Sequence, residues 1–248
     1  MRTTFYFLIM LVASQQLFAQ ADQPRLFIGV IGGFNKNYHS GTFSLPDSNG
    51  LEIKTPGMGT YNGSLYGLAG EYWFTENGTT ALQFNICYEH KPGNFRWVGA
   101  PITFVDTTTD QTFIYSRNNE IDAIYDLINF EALFRYNILP HFGISIGPKF
   151  GIVVHTQYSQ FQFINHIQGN FLLPEEMPDG AGDIIAPSTP IPGAYAYHLA
   201  INLGAQYELL LGPILITPAV SFDYDVTNIA PSWSVNTLAG TIDVKYGL

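Results

Sequence analysis

FGISIGPKFGIVVH, the residues 142–155, alternates two kinds of side chain along its whole length. The first set is apolar and runs from Phe142 through every second residue to Val154, whereas the set between them is small or polar, from Gly143 to His155. Successive side chains of a β-strand point to opposite faces. The stretch therefore predicts one long strand with an apolar face and a crowded, polar face.

The same alternation recurs along the chain. It predicts further strands at 81–90, 128–136, 195–209 and 214–224, and weaker ones at 26–34, 61–74 and 236–248. Together with 142–155 this makes about eight strands, the smallest number found in a membrane barrel. We therefore expect an all-β fold, an eight-stranded antiparallel up-and-down transmembrane β-barrel.

The connections between these strands alternate between short and long. Tight turns with Gly, Asn or Pro are predicted at 75–78, 139–141 and 211–213, and long segments at 35–60, 91–119 and 159–194, with a shorter one at 226–234. Outer-membrane barrels have short periplasmic turns and long extracellular loops. The order of lengths predicts that both termini lie in the periplasm.

The composition supports strands in lipid and excludes several other classes. Hydrophobic residues make up 46% of the chain and charged residues 12%, about half the charged share of a soluble domain. The apolar residues are spread out and do not form the roughly 20-residue run of a spanning helix. A net charge of −10 without basic clusters argues against nucleic acid as a partner, and the single cysteine, Cys87, excludes an intrachain disulfide.

The first 19 residues have the pattern of a secretory signal peptide. Arg2 is followed by an apolar stretch from Phe5 to Val12, and Ala19 is a small residue at the expected cleavage point. We expect residues 1–19 to be the signal peptide and residues 20–248 to be the barrel domain. An uncleaved anchor helix is the alternative.

The polar faces carry charged side chains interleaved with glycines. A soluble eight-stranded barrel would place its apolar face inward, whereas small and charged residues together suit a narrow lumen. The predicted lumen polar network, an ion-paired plug or alternatively a relay, consists of Glu131, Arg135, Lys149, Gln206, Glu208 and Asp223.

Aromatic residues occupy two kinds of position. Tyr72, Tyr136 and Tyr207 each precede a tight turn, where amphipathic rings form a girdle at the headgroup level, although strands favour tyrosine in any case. The long loops are rich in aromatic residues, which predicts contact with a partner or packing within the loops. The contact candidates are Phe95, Trp97, Phe113, Tyr115 and Trp233.

Several motifs resemble the PorT-like outer-membrane β-barrel domain family of Bacteroidota, and more generally the small barrels of the OmpX and OmpA kind. They are Gln20 after the cleavage point, the strand Phe27-Ile28-Gly29-Val30-Ile31-Gly32-Gly33, and Phe134-Arg135-Tyr136-Asn137 leading into Gly143-Ile144-Ser145-Ile146-Gly147-Pro148-Lys149-Phe150-Gly151. The resemblance covers essentially the whole mature chain. It implies a barrel fold, an outer-membrane location and, as one alternative, an accessory role in a secretion machine, but no active site.

The C-terminal strand alternates to the last residue. Ile242, Val244, Tyr246 and Leu248 lie on one face. This resembles the terminal assembly signal of outer-membrane barrels, from which Leu248 departs because the usual last residue is Phe.

No catalytic, cofactor or metal site is predicted. His155 with Ser159 near the top of a strand is a candidate for a lipid A-modifying site, for which a satisfied lumen or rim histidine is the alternative. The acidic segment 175–183 is a candidate calcium loop, for which a solvated turn is the alternative. The predicted function is a non-enzymatic outer-membrane barrel with a structural or surface-interaction role. Its expected partners are outer-membrane lipid and lipopolysaccharide, with a protein or glycan at the loops. A secretion accessory, a lipid A-modifying enzyme and a soluble lipocalin-like binder are the alternatives.

Overall fold

The computed structural model of the chain describes residues 24–46, 52–98, 102–106, 111–168, 183–231 and 233–248. The predicted signal peptide and most of the acidic segment 175–183 lie outside this part. The strands are β1 (Leu26–Pro46), β2 (Glu52–Trp73), β3 (Thr80–Val98), β4 (Ile102–Asp106), β5 (Gln111–Leu139), β6 (Phe142–Gln168), β7 (Asp183–Thr189), β8 (Tyr197–Tyr207), β9 (Leu209–Leu211), β10 (Ile214–Asp225) and β11 (Trp233–Gly247).

Eight of these strands form a closed ring. Its order is β1-β2-β3-β5-β6-β8-β10-β11, and the pairing of β11 with β1 closes it. The three short strands flank this ring, since β4 pairs with β5, β7 with β6 and β9 with β10. All pairings are antiparallel, and ring neighbours follow one another along the chain. The predicted up-and-down β-barrel is confirmed.

The orientation of the side chains is that of a barrel in lipid. Large apolar side chains point outward from the ring and are exposed, as with Phe34 at 79%. Charged side chains such as Arg135 and Lys149 are buried inside it. This outward apolar band, the apolar belt, includes Leu26, Ile28, Val30 and Phe34 on β1, Ile128, Phe130 and Phe134 on β5, Ile144, Ile146, Phe150 and Ile152 on β6, and Leu238, Ile242 and Val244 on β11.

Several strands are longer than the sequence predicts. β5 has 29 residues and β6 has 27, whereas about 9–11 residues cross a membrane. Much of the predicted loops 35–60, 91–119 and 159–194 is therefore strand, and Thr112–Tyr115 lies in β5 as one such extension. These hairpins extend past the apolar belt at the end of the barrel opposite the tight turns.

The face predicted for His155 was wrong. Asp126 pairs with His155 while the next residue, Leu127, pairs with Val153, so Val154 is the extra residue of a β-bulge. A bulge shifts the alternation by one residue. His155 therefore points outward, and beyond it the buried residues of β6 are the even-numbered Tyr158 and Gln160.

The two prolines within predicted strands lie at breaks in the ladder. Opposite Pro148, the β5–β6 pairing is interrupted between Glu131 and Phe134. In β10, pairing with β9 ends at Ile216 and pairing with β8 begins at Ala219. Pro218 lies between these two segments. Because proline has no N–H to donate, both prolines occupy positions where the ladder needs no donor on that side.

Inward glycines allow neighbouring strands to approach closely. A Cβ on Gly147 would lie 2.0 Å from the carbonyl oxygen of Ala132 on β5. No side chain fits at this distance, so the curvature of a narrow barrel explains why glycines alternate with charges on the inner face.

No helix among the described residues is long and apolar enough to cross a membrane.

Two turn glycines offer a matched test of this close packing. Gly78 and Gly212 both have positive φ, at 64° and 61°, but a Cβ on Gly78 would lie 2.7 Å from the Trp73 ring, while a Cβ on Gly212 would have nothing within 4 Å. We expect Gly212→Ala to lower the free energy of unfolding by about 1 kcal/mol, and Gly78→Ala by about 1–3 kcal/mol more because of the steric clash.

The measurement is urea unfolding of the barrel in lipid vesicles, followed by tryptophan fluorescence. Equal losses in the two variants would show that the Trp73 contact does not constrain this turn.

Candidate functional site

The barrel interior near the tight turns contains an ionic layer centred on Arg135. Its guanidinium lies 2.9 Å from Glu71 of β2 and also pairs with Glu208. Lys245 of β11 places its Nζ 2.6 Å from the same Glu71, and Gln83 donates a 3.2 Å hydrogen bond to it. Because charges in a dry interior need partners, these contacts explain how the lumen holds both signs of charge.

A second ionic layer, further from the turns, is centred on Lys149. Its Nζ lies 2.8 Å from Glu89, 3.1 Å from Glu131 and 2.7 Å from Asp223. These carboxylates come from β3, β5 and β10, so one side chain of β6 links four strands across the lumen. Asn202 donates a 2.7 Å hydrogen bond to Asp223.

The structure places all six predicted lumen residues inside the ring and joins them in these two layers. Gln206 accepts a 3.0 Å hydrogen bond from Gln83 and so connects to the Arg135 layer. The sequence prediction omitted Lys245 and Asp243, which are 3.2 Å apart, and the role of Glu89. All three lie on the inward face in the alternation of their strands, so parity alone could have placed them in the lumen, although it could not have named their partners.

Above the Lys149 layer the interior combines apolar packing with buried polar groups, such as His198, which lies 2.9 Å from Asp225. One cluster of buried residues joins Phe95 of β3 and Trp233 of β11 with residues of β5, β6 and the segments next to β8 and β10. It consists of Phe95, Ile121, Ala123, Tyr125, Leu127, Tyr158, Ile191, Ile229, Ala230, Trp233 and Val235. Ion pairs therefore fill the lumen near the tight turns, and apolar packing with a few buried polar groups fills it further up.

His39 connects this cluster to the wall of the barrel. Its Nε2 lies 2.9 Å from the carbonyl oxygen of Pro92, and Trp233 donates its Nε1–H to Nδ1 at 3.2 Å. The carbonyl requires Nε2 to be the donor, so both ring nitrogens are satisfied in the neutral imidazole. The β2–β3 ladder ends at Ser64 and His90, so this contact holds β3 beyond the end of its pairing with β2.

The predicted contact residues separate into two groups. Phe95 and Trp233 are buried at 1% and 3% exposure, and their rings are 5.4 Å apart. Their placement is that of packing residues, which was the alternative to partner contact. For Trp97 in β3 and for Phe113 and Tyr115 in β5, only the backbone is described, and partner contact stays a prediction.

The three predicted girdle tyrosines lie on the outer face, next to the tight turns. Tyr72, Tyr136 and Tyr207 are 42%, 47% and 37% exposed. The Tyr72 ring packs edge-on against Phe74, and His141 lies beside Tyr207. A headgroup-level role for them stays a prediction.

An ionisable cluster lies on the outer face of β3, β5 and β6. His90, Asp126 and His155 are consecutive partners across these strands. The His90 Nδ1 is 2.5 Å from one carboxylate oxygen of Asp126, and the His155 Nδ1 is 3.2 Å from the other. The sequence prediction paired His155 with Ser159 and missed both other members, because contacts between strands depend on register.

Among the described residues, no group of three or more His, Cys, Asp or Glu side chains has a geometry suited to a metal ion. Cys87 is buried and free, next to Ile31, Leu65, Ala69 and Ala239.

The closed ring, the outward apolar belt and the charged interior define a transmembrane β-barrel. No family model and no curated protein matches the chain. Among solved structures, it is similar to Neisserial surface protein A (TM-score 0.35, 10% identity, 90% of this chain and 97% of that one) and to OprG from Pseudomonas aeruginosa (TM-score 0.33, 12% identity, 92% and 98%). It is also similar to Ail from Yersinia pestis in complex with a heparin analogue (TM-score 0.28, 9% identity, 90% and 99%). Because these TM-scores are below 0.5, the assignment to the class of transmembrane β-barrels depends on the geometry of this barrel and not on the three similarities.

Removing the cation of the second layer should destabilise the barrel strongly. We expect Lys149→Met to lower the free energy of unfolding by about 3–5 kcal/mol, because three carboxylates then lose their shared counter-charge. Combining it with Glu131→Gln and Asp223→Asn should restore at least half of this loss, since Glu89 keeps Lys91 at 3.6 Å.

Urea unfolding in vesicles measures the effect. Lys36→Met is the matched control, because Lys36 points outward and is exposed. Its free energy of unfolding is expected to stay within about 0.5 kcal/mol of wild type. A single Lys149 variant as stable as wild type would contradict the role of the ion pairs.

His39 should make the upper interior sensitive to acid. It lies five residues beyond Phe34, the last apolar belt residue of β1. Burial lowers the pKa of His39 to about 4 from the ordinary 6.5. The hydrogen bond with the Pro92 carbonyl partly offsets this decrease, and the positive charge of Lys91 adds to it. A pKa that is lower in the folded state means that stability is complete above pH 6.5 and is lost as the pH falls toward 4. The loss amounts to at most about 3 kcal/mol.

Hydrogen exchange of the upper parts of β1, β3 and β11 at pH 7.5 and pH 4.5 measures this effect. His39→Gln, which keeps a donor and an acceptor but does not titrate, should show a smaller increase in exchange at pH 4.5. An equal increase in both proteins would exclude His39 as the cause.

Proposed function

We propose that the protein is a closed, non-conducting barrel of the bacterial outer membrane that acts at the cell surface through its extended hairpins. The observation that carries the proposal is the filled lumen. The ionic layers around Arg135 and Lys149 and the apolar cluster around Trp233 occupy successive levels of the interior. A barrel of eight strands is just wide enough for side chains to fill it, which argues against passage of a solute.

The location and orientation belong to the same proposal. Barrels with short turns at one end and long hairpins at the other have their turns in the periplasm. This would place the N-terminal end of β1 and the C-terminal end of β11 in the periplasm, and the hairpins β1–β2 and β5–β6 outside. The motif resemblance to the PorT-like family of Bacteroidota supports an outer-membrane address, and membership of that family is proposed on those motifs alone.

The surface role is proposed for the hairpins because they continue far past the apolar belt. β5 and β6 remain paired up to Ile114 and Gln168, 25 residues from the turn at Leu139. Strands of this length are more than the membrane requires, and paired strands present side chains at fixed positions. The proposed partners are lipopolysaccharide, a glycan or a protein that meets Trp97, Phe113 and Tyr115.

A second candidate is a barrel enzyme that acts on lipid. One observation favours it: the outward cluster of His90, Asp126 and His155, whose members are hydrogen-bonded at 2.5 and 3.2 Å.

Alanine substitutions distinguish surface contact from packing. We expect Trp97→Ala, Phe113→Ala and Tyr115→Ala to reduce binding of lipopolysaccharide or immobilised glycans to cells that display the protein, without changing its stability. Phe95→Ala and Trp233→Ala should instead cost about 3–5 kcal/mol of unfolding free energy, because they leave cavities in the apolar cluster.

Heat-modifiable gel mobility of each variant controls for folding, and cysteine labelling of the hairpins on intact cells tests the orientation. Unchanged binding by the Trp97, Phe113 and Tyr115 variants would contradict the contact role. Stable single-channel currents from wild type in planar bilayers would contradict the closed lumen.

A further inference from the structure

The outer wall of the barrel carries three ionisable residues side by side, at the level where apolar side chains give way to polar ones. Below His90, Asp126 and His155 lie apolar belt residues such as Ile128 and Ile152. The rings of Tyr66 and Tyr88 also pack below the cluster, with centroids 5.3 Å apart.

Above the cluster, the outer face becomes polar. Asn94 donates 2.6 Å hydrogen bonds to Glu120 and Asp122, and Arg96 pairs with Glu120 at 2.7 Å. The cluster therefore lies at the border between hydrocarbon and headgroups. This is the level at which ester bonds join the acyl chains of a lipid to its headgroup.

The stability of the barrel does not account for this cluster. Ionisable side chains that face lipid are costly and mark functional positions. His155 faces outward only because of the bulge at Val154, and bulges often re-aim a side chain beside an active site. Asp126 is 8% exposed beneath the two imidazoles.

The hydrogen bonds determine which nitrogen of each ring is available. A carboxylate only accepts, so each Nδ1 facing Asp126 carries a proton. In a neutral ring the Nε2 on the opposite side then holds a lone pair. The side chains of His90 and His155 are 34% and 49% exposed. A carboxylate that orients an imidazole in this way produces a general base.

We propose that this cluster hydrolyses an ester-linked acyl chain of a lipid in the adjacent leaflet, with water as the nucleophile. His90 Nε2 takes a proton from the water as the water oxygen bonds to the carbonyl carbon. The carbon–oxygen bond to the alcohol then breaks, and His90 returns the proton to the departing alcohol oxygen. The products are a fatty acid and the deacylated lipid.

The other two residues assist this step. His155, when protonated, donates its Nε2–H to the carbonyl oxygen as negative charge develops there. His90 and His155 are thus the catalytic residues, and Asp126 is a positioning residue that fixes the ring orientations.

Which leaflet is attacked rests on the proposed orientation, but the chemistry does not. Vesicles with the same lipids in both leaflets therefore test the site whether or not the orientation is correct, and cysteine labelling on cells tests the orientation separately.

The experiment uses the full barrel in vesicles of phosphatidylethanolamine and phosphatidylglycerol, with and without added lipid A. Mass spectrometry follows released fatty acid. We expect release by wild type, a decrease of about 100-fold or more for His90→Gln, and about 10-fold or more for His155→Gln. Asp126→Asn should lower kcat by about 10-fold or more with little change in KM, which a merely structural role would not produce.

His141→Asn is the matched control, because His141 lies in the tight turn at the opposite border of the membrane. It should leave the release unchanged. All proteins are first shown to be folded by heat-modifiable mobility. Release by wild type no faster than by vesicles without protein, or release that the His90 and His155 variants retain in full, would overturn the proposal.

Discussion

Closure of the strand ring is the constraint on which the rest of this structure depends. In hydrocarbon, a backbone N–H or C=O has no water to bond, so every strand in the apolar belt must be paired on both sides. The pairing of β1 with both β2 and β11 satisfies this requirement for the first and last strands of the ring. Pro148 and Pro218 are tolerated only because they lie at interruptions of the ladder.

Closure with so few strands also determines what the interior contains. A narrow ring brings inward side chains from opposite walls into contact, as when Lys149 of β6 meets Asp223 of β10 and Glu89 of β3. The inner face must therefore combine glycine, where strands approach closely, with charges that find partners across the lumen. The same packing fills the described part of the interior, so the stability of the barrel and the proposed closed lumen have one cause.

The sequence predicts the wall of the barrel better than its contacts. Alternation such as that of 142–154 reflects the surroundings of the two faces of a strand. Outward side chains meet lipid and inward side chains meet a polar lumen, so the two faces differ strongly in polarity. Beyond the apolar belt the outer face meets water, the contrast weakens, and the extensions of β5 and β6 are predicted as loops. Ion-pair partners such as Lys245 and Glu71 depend on strand register and curvature, which one sequence does not specify.

The largest departure from alternation is also the most informative. A strict two-residue period places His155 in the lumen, and the inserted Val154 instead brings it to Asp126 on the outer wall. A bulge interrupts the local ladder, and a charged contact facing lipid adds a desolvation cost. Two unfavourable features at one position, neither needed to close the ring, are expected where a side chain is positioned for chemistry or binding. With the lumen filled by the described side chains, the outer wall and the extended hairpins are the surfaces for which we propose a role.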